Sequence, residues 1–159
     1  MLKPAICYKE KLLELFAKEI YTPDWFYYVG WHGDYSLPNI QDNGESCRQY
    51  AIIGKDDNVI GYLAYHFDCY VSVANGFGLY SFDRGNLIVG KDLADEMDRI
   101  YNRFHRIEYR MIGGNHVQNT YEKFCKKYNG TVQQLHDVVR DEYGNYHDEF
   151  TYEIINPNN

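Results

Sequence analysis

The stretch His105–Gly130, which reads HRIEYRMIGGNHVQNTYEKFCKKYNG, decides the fold. Its first part alternates the apolar residues Ile107, Tyr109 and Met111 with charged residues. An alternation with a period of two is the pattern of a β-strand, because successive side chains of a strand point to opposite faces. The sequence therefore predicts a strand over Arg106–Ile112.

The second part of the same stretch predicts a helix. Asn115 stands at its N-cap, and Gln118 follows three residues later, a spacing that resembles a capping box. Asn129 and Gly130 end the helix, because both are frequent in the left-handed backbone of a C-terminal cap. The apolar face of this helix is formed by Val117, Tyr121, Phe124, Cys125 and Tyr128.

Upstream of this stretch, a strand and a helix lead into the predicted strand. The upstream strand is expected at about Gly76–Phe82 and the helix at about Lys91–Phe104. A strand–helix–strand unit of this kind makes a parallel, right-handed crossover. The apolar face of the helix is formed by Leu93, Met97, Ile100, Tyr101 and Phe104.

Antiparallel hairpins are predicted on each side of the crossover. In the first, Gln49–Gly54 and Val59–His66 flank the polar turn Lys55–Asn58. In the second, Thr131–Val139 is followed by Tyr146–Ile155. Together these elements predict an α/β chain, with a mixed sheet and helices on its faces.

The N-terminal part of the chain is predicted to be helical and then irregular. Apolar spacing predicts a first helix at about Lys9–Ile20, and Pro23 breaks the chain after it. Gly30–Ser46 contains three glycines and a proline, which predict a long loop. We expect a single domain over residues 1–155 and a C-terminal tail at residues 156–159.

Composition and charge argue against several classes of protein. The chain has 159 residues and a formal net charge of −7, with no cluster of Lys and Arg, so nucleic acid is not an expected partner. No segment is long enough to span a bilayer, and residues 1–8 lack the apolar run of a signal peptide. The four cysteines have no close spacing, which is typical of reduced thiols in a cytoplasmic protein.

Three segments of the C-terminal half stand out together: HRIEYR at His105–Arg110, then Gly114-Asn115, then TYEKF at Thr120–Phe124. In their residue types and in their spacing along the chain, these segments resemble the GNAT family of acyl-CoA-dependent N-acetyltransferases. The likeness covers about Asp57–Ile155. It implies a GNAT-like fold, in which a central twisted mixed sheet has a splayed parallel strand pair and helices on both faces.

The resemblance implies that acetyl-CoA is a co-substrate and that its pantetheine arm enters the gap between the splayed strands. There the arm would take up main-chain groups that have no strand partner. The strand edge implied to offer them comprises Leu79, Tyr80, Ser81 and Phe82. Asn115 is implied as a further contact of the arm, and the alternative is that it only caps its helix.

The pyrophosphate of the cofactor is implied at the N-terminus of the second helix, where free N–H groups and the helix dipole favour an anion. The residues implied there are Arg84, Gly85, Gly90 and Lys91. Only Gly90 matches the glycines of the family loop, and Arg84 lies one residue outside the usual basic position. The segment Gly85–Lys91 also resembles a P-loop, but Asp92 stands where that loop needs Ser or Thr to reach magnesium. The sequence therefore argues against nucleotide hydrolysis.

Tyr121 is implied as the catalytic acid by its match to the family tyrosine. A phenol with a pKa of about 10 keeps its proton at neutral pH and can donate it to a departing thiolate. The alternative is that Tyr121 fills the core, because it lies on the apolar face of its helix. The sequence does not select a base among His66, Asp68, Asp83, His136 and Asp137, and the His residues predict no metal site.

An aromatic segment precedes the long loop, and in the GNAT family this region often covers the acceptor site. The residues implied in acceptor binding are Trp25, Tyr28, Trp31 and Tyr35. An aromatic wall can hold a cationic amine. The alternative is a hydrophobic plug over the sheet.

Three hypotheses for function follow. The first is a cytoplasmic, acetyl-CoA-dependent N-acetyltransferase that transfers the acetyl group directly to a small-molecule or peptide amine, with no covalent enzyme intermediate. The second is a catalytically degenerate GNAT-like binding or adaptor module, which the reduced glycine loop favours. The third is a CoA-binding regulator. The sequence does not identify the acceptor, and it is compatible with a homodimer.

Overall fold

The protein consists of a mixed sheet flanked by helices. The computed structural model describes residues 1–29 and 36–159. In chain order the elements are β1 Leu2–Pro4, a 3-10 helix Ala5–Tyr8, α1 Lys9–Glu19, α2 Trp25–Val29, β2 Cys47–Ile53, β3 Val59–Asp68, β4 Val73–Ser81, α3 Leu87–Tyr101, β5 Arg106–Ile112, α4 Gln118–Lys127, β6 Thr131–Arg140 and β7 Tyr146–Ile155. Among the helices of these described ranges, none is both long and apolar enough to cross a membrane.

The seven strands form one sheet in the order β1-β2-β3-β4-β5-β7-β6. The β4–β5 pair is parallel, as the predicted crossover requires, and the other neighbouring pairs are antiparallel. Both predicted hairpins are present, and β5 and β7 have the predicted bounds. The predicted mixed sheet of the GNAT-like fold is therefore confirmed.

The parallel pair is joined at one end only. Val73 pairs with Arg106 and Ala74 with Ile107, although β4 has nine residues and β5 has seven. Beyond these two pairs the strands diverge, and we call the gap between them the β4–β5 wedge. The predicted splayed strand pair is thus confirmed.

A bulge in β4 accompanies the divergence. The register between β3 and β4 shifts between Ala64 and His66, and Gly76, just beyond the last parallel pair, has a φ of 62°. A glycine adopts this left-handed backbone without the steric cost that a Cβ brings. Because a bulge bends its strand, this irregularity turns the rest of β4 away from β5.

Two hydrophobic cores hold the sheet, one on each face. On one face, α3 and α4 pack through residues such as Leu93, Met97 and Phe124. On the other face, Leu12 and Phe16 of α1, both fully buried, pack beneath the N-terminal half of the sheet. The predicted apolar faces of these helices are therefore the ones that cover the sheet.

Two predicted helix starts are wrong, and each is explained by local hydrogen bonds. The second helix begins at Leu87 rather than near Lys91, because the Asn86 side chain accepts a hydrogen bond from Ile88 N at 3.0 Å and caps an earlier turn. The third begins at Gln118 rather than at Asn115. Asn115 Oδ1 accepts from Val117 N at 3.1 Å, which forms a turn before the helix.

The residues after β7 are hydrogen-bonded to the end of α3. Asn156 is buried, and its Nδ2 donates to the Tyr101 carbonyl at 2.8 Å, while its main-chain N donates to the His105 carbonyl at 2.7 Å. A carbonyl in the last turn of a helix has no partner within that helix. Asn156 therefore completes α3 from the far end of the chain.

Replacing Asn156 with Ala is expected to lower the free energy of unfolding by about 1–2 kcal/mol. The substitution removes a buried side-chain hydrogen bond, so the Tyr101 carbonyl loses one of its donors. Chemical denaturation measures the change. Asn158→Ala is the control, since this residue is exposed and its side chain has no hydrogen bond within the described ranges, so the change should stay below about 0.5 kcal/mol. Equal effects of the two substitutions would contradict this account.

Candidate active site

A cavity of about 690 Å³ lies beside the open end of the β4–β5 wedge. Its walls come from the α2 region, the end of β4, the β4–α3 loop, the first turns of α3 and the segment that leads into α4. The lining residues are Asp24, Tyr27, Tyr28, Leu79, Tyr80, Ser81, Arg84, Gly85, Asn86, Leu87, Val89, Gly90, Lys91, Leu93, Asn115, His116, Val117 and Thr120. Segments that are distant in the chain therefore converge on one concave site.

Most residues implied in cofactor binding meet in this cavity. The ones that line it are Leu79, Tyr80, Ser81, Arg84, Gly85, Gly90, Lys91 and Asn115. Phe82 is not among the lining residues, because its ring turns to the α1 face and packs on Phe16 at 5.0 Å. The structure thus brings together two groups that the sequence separates, the strand edge and the loop before α3.

Within residues 1–29 and 36–159, the β4 edge at the cavity has no strand partner on the β5 side. The last parallel pair is Ala74–Ile107, and Leu79 to Ser81 lie beyond it along β4. Main-chain N–H and C=O groups that leave a sheet need another partner. An extended ligand in the wedge can supply one, as an added strand would.

The first turn of α3 presents an electropositive end to the cavity. Asn86 caps the helix, and the first turn contains no acidic residue. A Cβ built on Gly90 meets no atom within 4 Å, so open space lies beside this residue. Gly85, in the loop before the helix, has a φ of 80°. The free N–H groups and dipole of this helix end favour an anionic group.

Ionisable side chains from three separate segments meet at the cavity wall. Arg84 forms an ion pair with Asp24, and His116 Nε2 lies 3.8 Å from the other oxygen of the same carboxylate. Asp24 and His116 were not identified from the sequence. Their contact joins residues 92 positions apart (24 and 116), so no local spacing signals it.

Tyr121 lies in the core beside the cavity and not in its lining. The side chain is buried, with its ring 4.8 Å from that of Tyr109 and 6.3 Å from that of Tyr152. Thr120, the preceding residue, lines the cavity. Burial, with a smaller effect from Tyr152, raises the pKa of the Tyr121 phenol. Its role as an acid stays a prediction.

The residues implied in acceptor binding separate into three groups. Tyr28 lines the cavity and lies over Gly78, where a built Cβ would be 3.4 Å from its ring. Trp25 is buried and packs edge-on against Phe16 at 5.8 Å, as a core residue does. Trp31 and Tyr35 lie outside the described residues.

The five candidate bases are exposed and lie outside the cavity lining. Asp68 accepts main-chain hydrogen bonds in the β3–β4 turn, and Asp83 accepts from the Asn86 side chain. His136 is 3.3 Å from Asp148, which also accepts from the Asp137 main-chain N. His66 packs beside Gly76 at the β4 bulge. These contacts organise turns and bulges.

A second acid–imidazole pair lies near α2 and was not considered at the level of sequence. His147 Nε2 is 3.1 Å from Asp141 Oδ2, and this hydrogen bond is the main cause that lowers the pKa of Asp141 to about 2. The His147 ring contacts Phe26 at 5.0 Å and Tyr27 at 6.4 Å. Since Tyr27 lines the cavity, the pair stands behind its wall.

Solved N-acetyltransferases share this architecture over nearly the whole chain. The spermidine N-acetyltransferase of Vibrio cholerae, solved with CoA and spermine, superposes with a TM-score of 0.69 at 11% identity and covers 98% of this chain and 94% of its own. The ribosomal-protein-alanine N-acetyltransferase of Brucella melitensis gives a TM-score of 0.66 at 14% identity, with 98% and 99% covered.

The likeness is therefore one of structure, and the sequences have diverged widely. No model of a protein family matches the chain, and no curated protein matches it in sequence. The mixed sheet with its flanking helices nevertheless matches the solved acetyltransferase structures, and the parallel β4–β5 pair is present. The chain has the fold of the GNAT N-acetyltransferases.

Proposed function

We propose that this protein is an acetyl-CoA-dependent N-acetyltransferase that transfers the acetyl group directly to an amine. The observation that carries the proposal is the β4–β5 wedge, in which the β5-facing edge of Leu79–Ser81 has no strand partner among the described residues and lies beside a cavity of about 690 Å³. A closed parallel pair would leave no room for an extended ligand. The co-substrate also favours a cytoplasmic location for the proposed activity.

The cavity provides a different kind of contact for each part of the cofactor. The pantetheine arm would hydrogen-bond along Leu79–Ser81, with Asn115 on the opposite wall. The pyrophosphate would lie at the first turn of α3, beside Gly90. Lys91 and Arg84 supply positive charge in the same cavity. This division matches an elongated ligand with one extended and one anionic part.

The proposed reaction needs a neutral amine and a proton for the leaving group. The amine nitrogen attacks the thioester carbonyl, the C–N bond forms, and the C–S bond breaks with its electron pair going to sulfur. We propose that Tyr121 donates its phenol proton to that sulfur, while the attacking nitrogen releases one proton to solvent, from which the tyrosinate regains its proton. Because burial raises its pKa, Tyr121 is protonated at neutral pH, as an acid must be.

The proposed acceptor is a cationic small molecule or peptide amine. Tyr27 and Tyr28 place aromatic rings in the cavity wall, and such rings attract cations. The formal net charge of −7 also attracts a cationic acceptor, and it does so over longer distances than the rings. The structural neighbour from Vibrio cholerae is a spermidine N-acetyltransferase, whose acceptor is of this chemical class.

A specific observation favours a second candidate function, a GNAT-like binding module without catalysis. Only Gly90 matches the glycines of the family loop, and Arg84 is held by Asp24 rather than free to meet a phosphate. Tyr121 also lies outside the cavity lining. Measurements of cofactor binding and of turnover distinguish this module from the enzyme.

Excess acetyl-CoA is expected to raise the melting temperature, because a ligand at 100 times its dissociation constant stabilises a protein by about 2.7 kcal/mol. Gly90→Leu should abolish the shift by filling the space that the phosphates need. This variant should itself be at least as stable as the wild type, since Gly90 is helical and leucine is a better helix former. Differential scanning fluorimetry measures both effects.

The matched control is Ala94→Leu, an exposed position one turn further along α3 and outside the cavity lining. It should keep the full shift with acetyl-CoA. No shift in the wild type at millimolar acetyl-CoA would refute the proposed enzyme. If acetyl-CoA raised the melting temperature of Gly90→Leu as much as that of the wild type, the phosphates would not bind at the first turn of α3.

Tyr121→Phe is expected to lower kcat by about 100-fold or more, because it removes the proton donor, while acetyl-CoA affinity stays unchanged. Thiol release with a panel of primary amines gives kcat, and calorimetry gives affinity. Tyr128→Phe is the control, since this tyrosine lies at the far end of α4, where its hydroxyl donates to Asp98. Wild-type turnover in Tyr121→Phe would remove the assignment.

A further inference from the structure

The cavity lining contains one negative charge of its own. Arg84 and Lys91 line the wall together with His116, and Asp24 is the single acidic residue among the lining residues in the described part of the chain. Asp24 lies in the connection between α1 and α2, and it contacts Arg84 of the loop that leads into α3. An internal anion therefore stands in the site that otherwise suits an anionic ligand.

The Asp24 carboxylate lies between a guanidinium and an imidazole. Its side chain is 20% exposed, and it pairs with Arg84 through Oδ2 and faces His116 Nε2 at 3.8 Å through Oδ1. Apart from the contact with Arg84, Oδ2 is buried and has no hydrogen-bond partner within residues 1–29 and 36–159. A largely buried carboxylate with so few partners needs the charge of its neighbours.

Arg84 and His116 compensate for what the loop lacks. The glycine loop keeps a single family glycine, so main-chain N–H groups alone offer a reduced grip on a phosphate. Arg84 and His116 come from the two segments that flank the wedge, the β4–α3 loop and the segment before α4. They carry their groups to a common point, since both contact the same carboxylate. A phosphate there would meet a guanidinium and an imidazole.

We propose that Asp24 is a built-in competitor for the phosphate site. In the free protein its carboxylate holds Arg84 and His116, and in the complex a phosphate of the bound cofactor takes its place between them. His116 is then a phosphate-binding residue of this chain. This inference rests on the proposed function, because the phosphate belongs to the acetyl-CoA that the cavity is proposed to bind.

The exchange has a consequence for α2. Asp24 directly precedes α2, and α2 carries Tyr27 and Tyr28 into the cavity wall. A bound phosphate repels the Asp24 carboxylate and takes Arg84 and His116 from it, so Asp24 turns toward solvent. The start of α2 is then no longer fixed to the loop before α3. Cofactor binding would in this way loosen the wall proposed to hold the acceptor.

Asp24→Asn tests the competition, because it keeps the shape of the side chain and removes its charge. CoA binding is measured by isothermal titration calorimetry at low salt. Competition predicts that affinity rises by about 5- to 10-fold in Asp24→Asn, the factor that about 1–1.4 kcal/mol represents. The affinity for pantetheine, which has no phosphate, should not change. Glu142→Gln is the charge control, an exposed residue of the β6–β7 turn outside the cavity lining, with unchanged affinity for both ligands.

His116 is tested in the same assay. His116→Ala should weaken CoA binding by about 5- to 10-fold and leave pantetheine binding unchanged. His116→Lys should restore CoA affinity, because a lysine supplies a cation at the same position. Asp24→Ala serves as the second variant at position 24, and circular dichroism shows that each protein is folded before it is titrated.

The outcomes separate the inference from the function on which it rests. A lower or unchanged CoA affinity in folded Asp24→Asn and Asp24→Ala overturns the competition, because Asp24 would then only position Arg84 or have no effect. Unchanged CoA affinity in His116→Ala removes His116 from the site. In both cases the proposed enzyme stands, provided that the wild type binds CoA. If neither the wild type nor Asp24→Asn binds CoA, the proposed function itself fails, and the competition fails with it.

Discussion

The early end of the parallel pairing between β4 and β5 is the constraint on which the rest of the site depends. Hydrogen bonds join these strands at Val73–Arg106 and Ala74–Ile107, and the strands then separate. Unpaired main-chain groups, the loop before α3 and the segment before α4 all meet where the strands have parted. If the strands were joined along their length, the same residues would form a closed sheet with no site.

A gap of this kind persists only if both of its sides are held from elsewhere. β5 pairs with β7 along its whole length, from Arg106–Ile155 to Ile112–Glu149, and β4 pairs with β3 on both sides of its bulge. The α3–α4 core and the α1 core cover opposite faces. Each strand of the wedge is therefore fixed by its outer neighbour, so the open side does not need to close for stability.

The parts of this arrangement that the sequence predicted are those with a local cause. β5 and β7 have the predicted bounds because period-two alternation is a property of consecutive residues. The predicted start of α3 is wrong because the apolar spacing on which it rests begins at Leu93, whereas Asn86 caps the helix earlier. The contact of Asp24 with His116 has no local cause, since it exists only once the α1–α2 connection and the turn before α4 fold onto one cavity. Tyr121 shows a further limit, because one helical position is compatible with a core residue and with an acid, and spacing does not separate them.

The distribution of charge affects an anionic ligand and a cationic ligand differently. The chain has a formal net charge of −7, yet Arg84, Lys91 and His116 line the cavity, and Asp24 is the single acidic residue of the lining in the described part of the chain. An anionic ligand is therefore repelled at long range and attracted only where the helix end of α3 and these side chains are close. A cationic amine meets the opposite field, attracted by the whole surface and then by the rings of Tyr27 and Tyr28. The two proposed substrates thus differ in the range at which the protein attracts them: the acceptor responds to the charge of the whole chain, and the cofactor to a few atoms at the mouth of the wedge.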